Sequence, residues 1–345
     1  MGFETYSARG KILVLRRFLE KSKPFTKDLV DNFYSCAACG YCKEMCPVEI
    51  DLPELFVDVR ADLVEKGLGP LPPHVRFAQS IKENHNPYLE LHGKRTSWLP
   101  EKLPQKVDMI FFAGCTNSFR TQSTALSTFR ILKEAGVNFG VMSDEWCCGS
   151  PLLMTGQKEG ARVTIEHNVE AIESSGAGTL ITSCSGCYRM WKIGYEKISH
   201  KKLPFEVFHT SEYMQLLLDE KKLKPLKEIN KKVTYHDPCH LGRHVGVFDP
   251  PRAVLESIPG IKLLEMERTR KLSWCCGAGA GVMSGIPDLA HFAAMERLNE
   301  AKETGAEIIV SACPFCELNL SRTAESASLK LPVVDVTDLF AQSLG

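Results

Sequence analysis

Trp146 to Gly149 read Trp-Cys-Cys-Gly, and Trp274 to Gly277 read the same four residues again. Adjacent cysteines make a strained disulfide with each other, whereas two thiolates side by side suit a metal cluster. The neighbouring cysteines repeat the pattern. Between Cys115 and Cys147-Cys148 lie 31 residues, and the pair Cys184-x2-Cys187 follows; between Cys239 and Cys275-Cys276 lie 35, and Cys313-x2-Cys316 follows. Two sets of five with nearly one layout mark an internal duplication. The remaining four of the 14 cysteines are Cys36, Cys39, Cys42 and Cys46, spaced C-x2-C-x2-C-x3-C and followed by Pro47.

That last spacing is the bacterial ferredoxin run, in which three thiolates wrap one cluster and the fourth, in two-cluster ferredoxins, reaches the other. Structural zinc sites use paired C-x2-C knuckles instead. Five sulfurs per set is the informative count. A four-iron cubane needs four thiolates, so the fifth is surplus unless one thiolate bridges two irons or the cluster is opened. A pair of zinc knuckles with a spare cysteine is the competing reading of each set.

The segments that must position these sulfurs repeat too. "VDMIFFAGC" matches "KVTYHDPC", and "GTLITSCSGCYRM" matches "AEIIVSACPFCEL", each a short apolar run ending at a cysteine. Between them lie helical stretches, residues 159–176 and 286–305. The second has Leu289, Phe292, Ala293 and Met295 or Ala294 on neighbouring turns and a stop at Gly305. Strands alternating with such helices predict an α/β protein with two duplicated parallel cysteine-rich halves, the cysteines at strand ends and helix starts. The boundaries expected are a helical ferredoxin-type segment over 1–68, a proline-rich connector over 69–105, and cysteine-rich domains over 106–228 and 229–345.

Composition narrows the classes of function. The formal net charge is zero, which gives no general attraction to nucleic acid or anionic lipid. There is no apolar run long enough for a membrane span, and the first residues lack the core and cleavage site of a signal peptide, so a cytoplasmic protein is expected, at a membrane face only through a partner. Tyr6 stands where a myristoylation motif needs Ser or Thr. Fourteen cysteines in a reducing compartment point to metal rather than disulfides.

The two five-cysteine sets, with "YHDPCHLGRHVGVFDPPR" and "CCGAGAGV", closely resemble the cysteine-rich domains of heterodisulfide reductase catalytic subunits, and residues 6–53 resemble the ferredoxin-type segment of their fused forms. The resemblance implies a subunit of a larger redox complex of anaerobic metabolism, such as methanogenesis, that reductively cleaves a disulfide such as CoM-S-S-CoB. It implies one non-cubane [4Fe-4S] cluster on Cys115, Cys147, Cys148, Cys184 and Cys187, and a second on Cys239, Cys275, Cys276, Cys313 and Cys316. A ferredoxin-type [4Fe-4S] cluster is expected on the run Cys36, Cys39, Cys42 and Cys46. Partners implied are iron–sulfur or flavin subunits and a small disulfide or thiol substrate. Fused relatives usually carry two ferredoxin runs where one is visible here, so either Cys46 closes its own cluster or a partner supplies the other run. Iron–sulfur subunits of glycolate, lactate and glycerol-3-phosphate oxidases, also in the broader family, typically lack some of these cysteines. An electron relay between a flavin dehydrogenase and a quinone or membrane partner is therefore the alternative function.

Four residues beside Cys239 are candidates for chemistry: His236, His240 and His244 as proton donors and Arg243 as an anchor for an anionic substrate tail, with packing around the cluster as the alternative role. Arg252 and Arg120 are weaker candidates. Gly277 to Gly281 lacks the spacing of a phosphate loop and is expected to let backbone N–H groups approach sulfur. Trp146 and Trp274 are expected to shield clusters. The run from Ala8 to Lys21, with Ile12, Leu13, Leu15, Phe18 and Leu19 among basic residues, reads as a helix packed on the ferredoxin-type segment, or as a docking helix.

Overall fold

The computed structural model describes residues 2–20, 24–104 and 106–345, and at Asp28 the backbone only. Lys21, the last basic residue of the amphipathic run, lies outside them.

The N-terminal segment is helical. Ala8–Glu20, Asp28–Tyr34 and Leu52–Glu65 surround a small core of Leu15, Phe33, Tyr34, Phe56 and Leu63. Ala8–Glu20 packs on this segment through Leu15 and through Lys11, whose Nζ donates to Tyr6 O and Ser35 Oγ, while Leu13 and Leu19 stay exposed. The four-cysteine run crosses the short Tyr41–Glu44 helix.

Two parallel four-stranded sheets follow. Strands β1 (Met109–Phe111), β2 (Phe139–Gly140), β3 (Thr179–Thr182) and β4 (Glu206–His209) lie in the order β2-β1-β3-β4. Strands β5 (Lys231–His236), β6 (Ile261–Leu263), β7 (Ile308–Ser311) and β8 (Val333–Asp335) lie in the order β6-β5-β7-β8. The same strand order in both sheets is the duplication expressed as topology. In each sheet the strand order reverses between the first and third strands, which is where open α/β sheets leave a crevice beyond the strand ends. Strand centres are apolar and buried on both faces (Phe111, Leu180, Val233, Val310), as parallel sheets covered by helices require.

The halves exchange helices reciprocally. Thr210–Asp219 of the first packs on Asp249–Ser257 of the second, and the C-terminal Val336–Gln342 helix packs on Gln122–Glu134.

The Lys158–Ser175 and Pro287–Glu303 helices form as expected. The face of the second differs from the expected one. Its buried stripe is Ala290, Ala294, Leu298 and Ala301, whereas Phe292 is 62% exposed. The Pro314–Ser326 helix lies against that stripe, and small side chains let the two backbones approach.

The connector is more than a tether. Pro72–Asn84 is a helix, started by two prolines that suit the first helical turn. It is held to the second half by a 2.9 Å hydrogen bond between His74 Nε2 and Gly281 O.

Candidate functional site

The sulfurs sit just beyond the strand ends at the two reversal points. Cys115 follows β1 and Cys184 follows β3; Cys239 follows β5 and Cys313 follows β7. Each adjacent pair arrives on a loop. Cys147 N–H donates to His85 O at 2.8 Å, and Asn168 Nδ2 donates to the carbonyls of Trp146 and Cys147. In the second half Asn319 Nδ2 donates to Cys276 O at 2.7 Å. The glycine closing each Cys-Cys-Gly has a left-handed backbone, φ +81° at Gly149 and +84° at Gly277, and a Cβ there would strike the next helix at Thr164 Oγ1 or Ala290 O. Both constraints need glycine.

Within each set the thiols are neighbours in the same order. In the first, Cys115 meets Cys147, then come Cys148, Cys187 and Cys184. In the second, Cys239 meets Cys275, then come Cys276, Cys316 and Cys313, with 3.2 Å between the sulfurs of Cys276 and Cys316. The sets join where Cys184 meets Cys313, and Cys275 also meets Cys39 of the four-cysteine run. The file of neighbouring thiols therefore runs without a break from Cys39 to Cys115. Nine of the ten cysteines in the two sets are buried. Convergent buried thiolates are a donor set that fits soft metals and iron–sulfur clusters.

Cys46 stands apart. Cys36, Cys39 and Cys42 act on one another, whereas the Cys46 thiol faces the backbone N–H groups of Ile50, Val48 and Glu49, which lower its pKa from the ordinary value. Exposed Met45, Val48 and Ile50 surround it.

The candidates beside Cys239 divide. His240 lines the cavity described below. Burial, and after it the Arg189 cation, holds its pKa down at about 3, so it is a neutral imidazole. His236 lies behind the sulfurs: Arg297 Nε donates to its Nδ1 at 3.1 Å, leaving Nε2–H toward Cys276 and Cys316. His244 accepts from Arg189 Nε on Nδ1 and donates from Nε2 to Ala38 O, both at 3.0 Å. Arg243 donates to the carbonyls of Cys39, Lys271 and Ser273, which ties the four-cysteine run to the second half and leaves its guanidinium outside the cavity wall. Arg252 is clasped by Asp237 and Glu265, and Arg120 by Glu90.

Gly277 N–H does approach a sulfur, Cys275 Sγ at 3.3 Å, but the rest of that loop packs against Ala37 and His74. Trp146 is stacked between His85 and His167, 3.8 Å from each ring, and Trp274 lies under the Arg268 guanidinium at 4.1 Å; both are half-buried.

Two buried arginines were not visible as site residues in the sequence. Arg95 Nη2 donates to Cys115 Sγ at 3.4 Å and Nη1 to Glu145 Oε1 at 2.7 Å; Glu145 in turn accepts from Ala113 N and Gly114 N at the end of β1. Arg60 donates to the carbonyls of Phe33, Cys36, Met154 and Ala280, so one guanidinium holds the N-terminal segment to both halves.

Both sets open into one cavity of about 390 Å³. Its inner wall includes Cys115, Cys147, Cys148, Cys184 and Cys187 from one half and Cys239, Cys276, Cys313 and Cys316 from the other. Its outer wall comes from the connector, through Pro73, Arg76, Phe77, Pro87, Tyr88 and Leu89.

The CCG cysteine-rich domain family matches the chain twice, over residues 109–192 and 233–321. Over 98% of this chain and 87% of theirs, the relatives include one and the same component of the dihydromethanophenazine:CoB–CoM heterodisulfide reductase in two archaea, 41% identical in Methanosarcina acetivorans and 42% identical in Methanosarcina mazei. A hypothetical protein of Helicobacter pylori shares the fold at a TM-score of 0.64 and 10% identity, over 97% of this chain and 67% of that one. The cysteines are those of an iron–sulfur protein, on two CCG domains and a helical segment that match these relatives nearly end to end. On that similarity the chain belongs to the family of this iron–sulfur component of heterodisulfide reductase.

Proposed function

We propose that this chain reductively cleaves a disulfide held between its two five-cysteine sets, and that the substrate is the CoM–CoB heterodisulfide named for its relatives. The observation that carries this reading is the cavity. Both sets are complete, both face one space, and Cys184 and Cys313 adjoin on its inner wall. An electron relay has no need of a cavity lined by the ligands of two centres.

Each five-cysteine set would hold one non-cubane [4Fe-4S] cluster, and Cys36, Cys39 and Cys42 a ferredoxin-type cluster, with Cys46 or another thiolate as the fourth ligand. When bound, such clusters supply electrons one at a time beside the substrate sulfur. The residues of the chain bind, orient and exclude water. Phe77, Met154, Met283 and Phe315 make most of the wall around the sulfurs apolar, which keeps bulk water from the bond being cleaved. Neutral His240 is placed to hydrogen-bond a thiol or thiolate there. Its unpartnered Nε2, among the described residues, leaves that capacity free. The balanced step takes one disulfide, two electrons and two protons to two thiols.

Electrons would arrive through the four-cysteine run, since Cys39 adjoins Cys275, from an iron–sulfur or flavin partner in the complex. No helix among the described residues is long and apolar enough to cross a membrane, so a membrane donor would act through such a partner.

The test is anaerobic turnover with reduced viologen and the CoM–CoB heterodisulfide. The proposal expects two thiols per disulfide consumed, with the rate lost in Cys148→Ser and Cys276→Ser. A rate no greater than that of dye and disulfide alone would reject it.

A further inference from the structure

The cavity wall has one formally charged side chain among its described lining residues, and it is not one of the candidates beside Cys239. It is Arg76, on the Pro72–Asn84 helix of the connector. Pro73, Arg76 and Phe77 stand at positions i, i+3 and i+4, which share a helix face, and that face is turned to the cavity. Phe77 is buried, and Arg76 is exposed at the mouth. Every other arginine near the sulfurs is engaged: Arg95 with Glu145, Arg243 with three carbonyls, Arg189 with His244. Arg76 makes no ion pair or side-chain hydrogen bond among the described residues. A free guanidinium at the rim of an apolar cavity is a site for an anionic group whose apolar stem goes inward.

The support under Arg76 is built rather than loose. His74 on the same helix is buried and bonded to Gly281 O. Buried Ser80 donates to Asn86 O at 2.7 Å and accepts from Leu89 N at 3.0 Å, fixing the helix to the loop that carries Pro87, Tyr88 and Leu89. Asn86, also buried, pins that loop through Asn84 O, Glu90 O and Tyr88 N. Tyr88 OH lies 2.9 Å from Thr116 Oγ1, one residue from Cys115. The rim is thereby held at a fixed distance from the sulfurs, which is what a positioning group needs.

We propose that Arg76 is the specificity residue of this site: it binds the carboxylate, sulfonate or phosphate end of an acidic disulfide at the cavity mouth while the sulfur–sulfur bond lies among the cysteines. This rests on the disulfide-reducing reading above and adds to it the residue that selects an acidic substrate.

The test uses the holoprotein, purified anaerobically, reducing the CoM–CoB heterodisulfide with reduced viologen. Dithiodipropionate and its uncharged diamide are added as matched competitors, and Arg76→Ala, Arg76→Lys and Lys82→Ala are compared with the wild type. Lys82 is an exposed cation on the same helix outside the cavity. In the wild type the dicarboxylate competes better than the diamide, and added salt erodes that preference. Arg76→Ala shrinks the ratio of the two inhibition constants about tenfold, the scale of one charge-assisted contact. Arg76→Lys restores part of it, and Lys82→Ala leaves it as in the wild type. Equal competition by the two compounds in the wild type, or an undiminished ratio in Arg76→Ala, overturns the assignment of Arg76. Failure of the wild type to reduce the heterodisulfide at all rejects the functional reading on which it rests.

Discussion

The thiol of Cys184, just beyond β3, neighbours that of Cys313, just beyond β7. These are equivalent positions in the duplicated halves, so the duplication brings its two copies of one ligand face to face. Their side chains share the inner wall of a single cavity, and a change at one reaches the other.

Cys184→Ser is expected to alter the paramagnetic signals of both five-cysteine sets, whereas Cys36→Ser alters that of the four-cysteine run. Spectra of the two variants at matched iron content check this. A Cys184→Ser spectrum changed in one set alone contradicts the shared wall.

Cys148→Ser and Cys276→Ser are expected to lower disulfide reduction by about a hundredfold or more, a loss of about 2.7 kcal/mol of transition-state stabilisation. Cys46→Ser is expected to cost far less, because its sulfur is turned away from Cys36, Cys39 and Cys42 and toward the Val48 and Ile50 backbone. Rates of the three variants with an artificial donor rank them.

Removing Arg60 strips the carbonyls of Phe33, Cys36, Met154 and Ala280 of one donor group at once. Buried acceptors left bare cost about 1–3 kcal/mol each before relaxation. Arg60→Met is expected to destabilise by about 3 kcal/mol or more and to release the N-terminal segment first. Hydrogen exchange over residues 28–65, rising ahead of exchange in β1 and β5, is the expected sign.

His74 supplies a pH dependence. Burial, opposed by its bond to Gly281 O and aided by the Arg60 cation, holds its pKa at about 4, below the ordinary 6.5. Between those values the unfolded chain binds a proton that the folded chain does not. Stability is therefore full above pH 6.5, falls as the pH drops toward 4, and levels off below it. Melting of the wild type across that window should steepen by up to one proton relative to His74→Gln. Identical slopes would contradict it.

What could be read from the sequence, and what could not, follows from the range of the interactions. Thiol identity and local spacing announced the ligand groups and their duplication, and apolar runs ending at cysteines placed Cys115, Cys184, Cys239 and Cys313 beyond strand ends. Arg60 bonds Ala280, 220 residues further along the chain, as well as Phe33, and no local pattern marks such a partner. Arg76 did carry a weak signal, the Pro73, Arg76 and Phe77 spacing, but its significance depends on a helix docking over a cavity that two distant halves create. The Pro287–Glu303 helix misled because its largest apolar residue, Phe292, faces outward while alanines make the contact.

On the cavity reading, a disulfide meets the paired sets and not the ferredoxin-type run. The most direct measurement is the low-temperature paramagnetic spectrum of the anaerobic holoprotein before and after the CoM–CoB heterodisulfide is added, in the wild type and in Cys276→Ser. A new substrate-dependent signal is expected in the wild type, absent from Cys276→Ser, with the signal of the four-cysteine run unchanged in both. A substrate-dependent change confined to that run, or one that survives in Cys276→Ser, would contradict it.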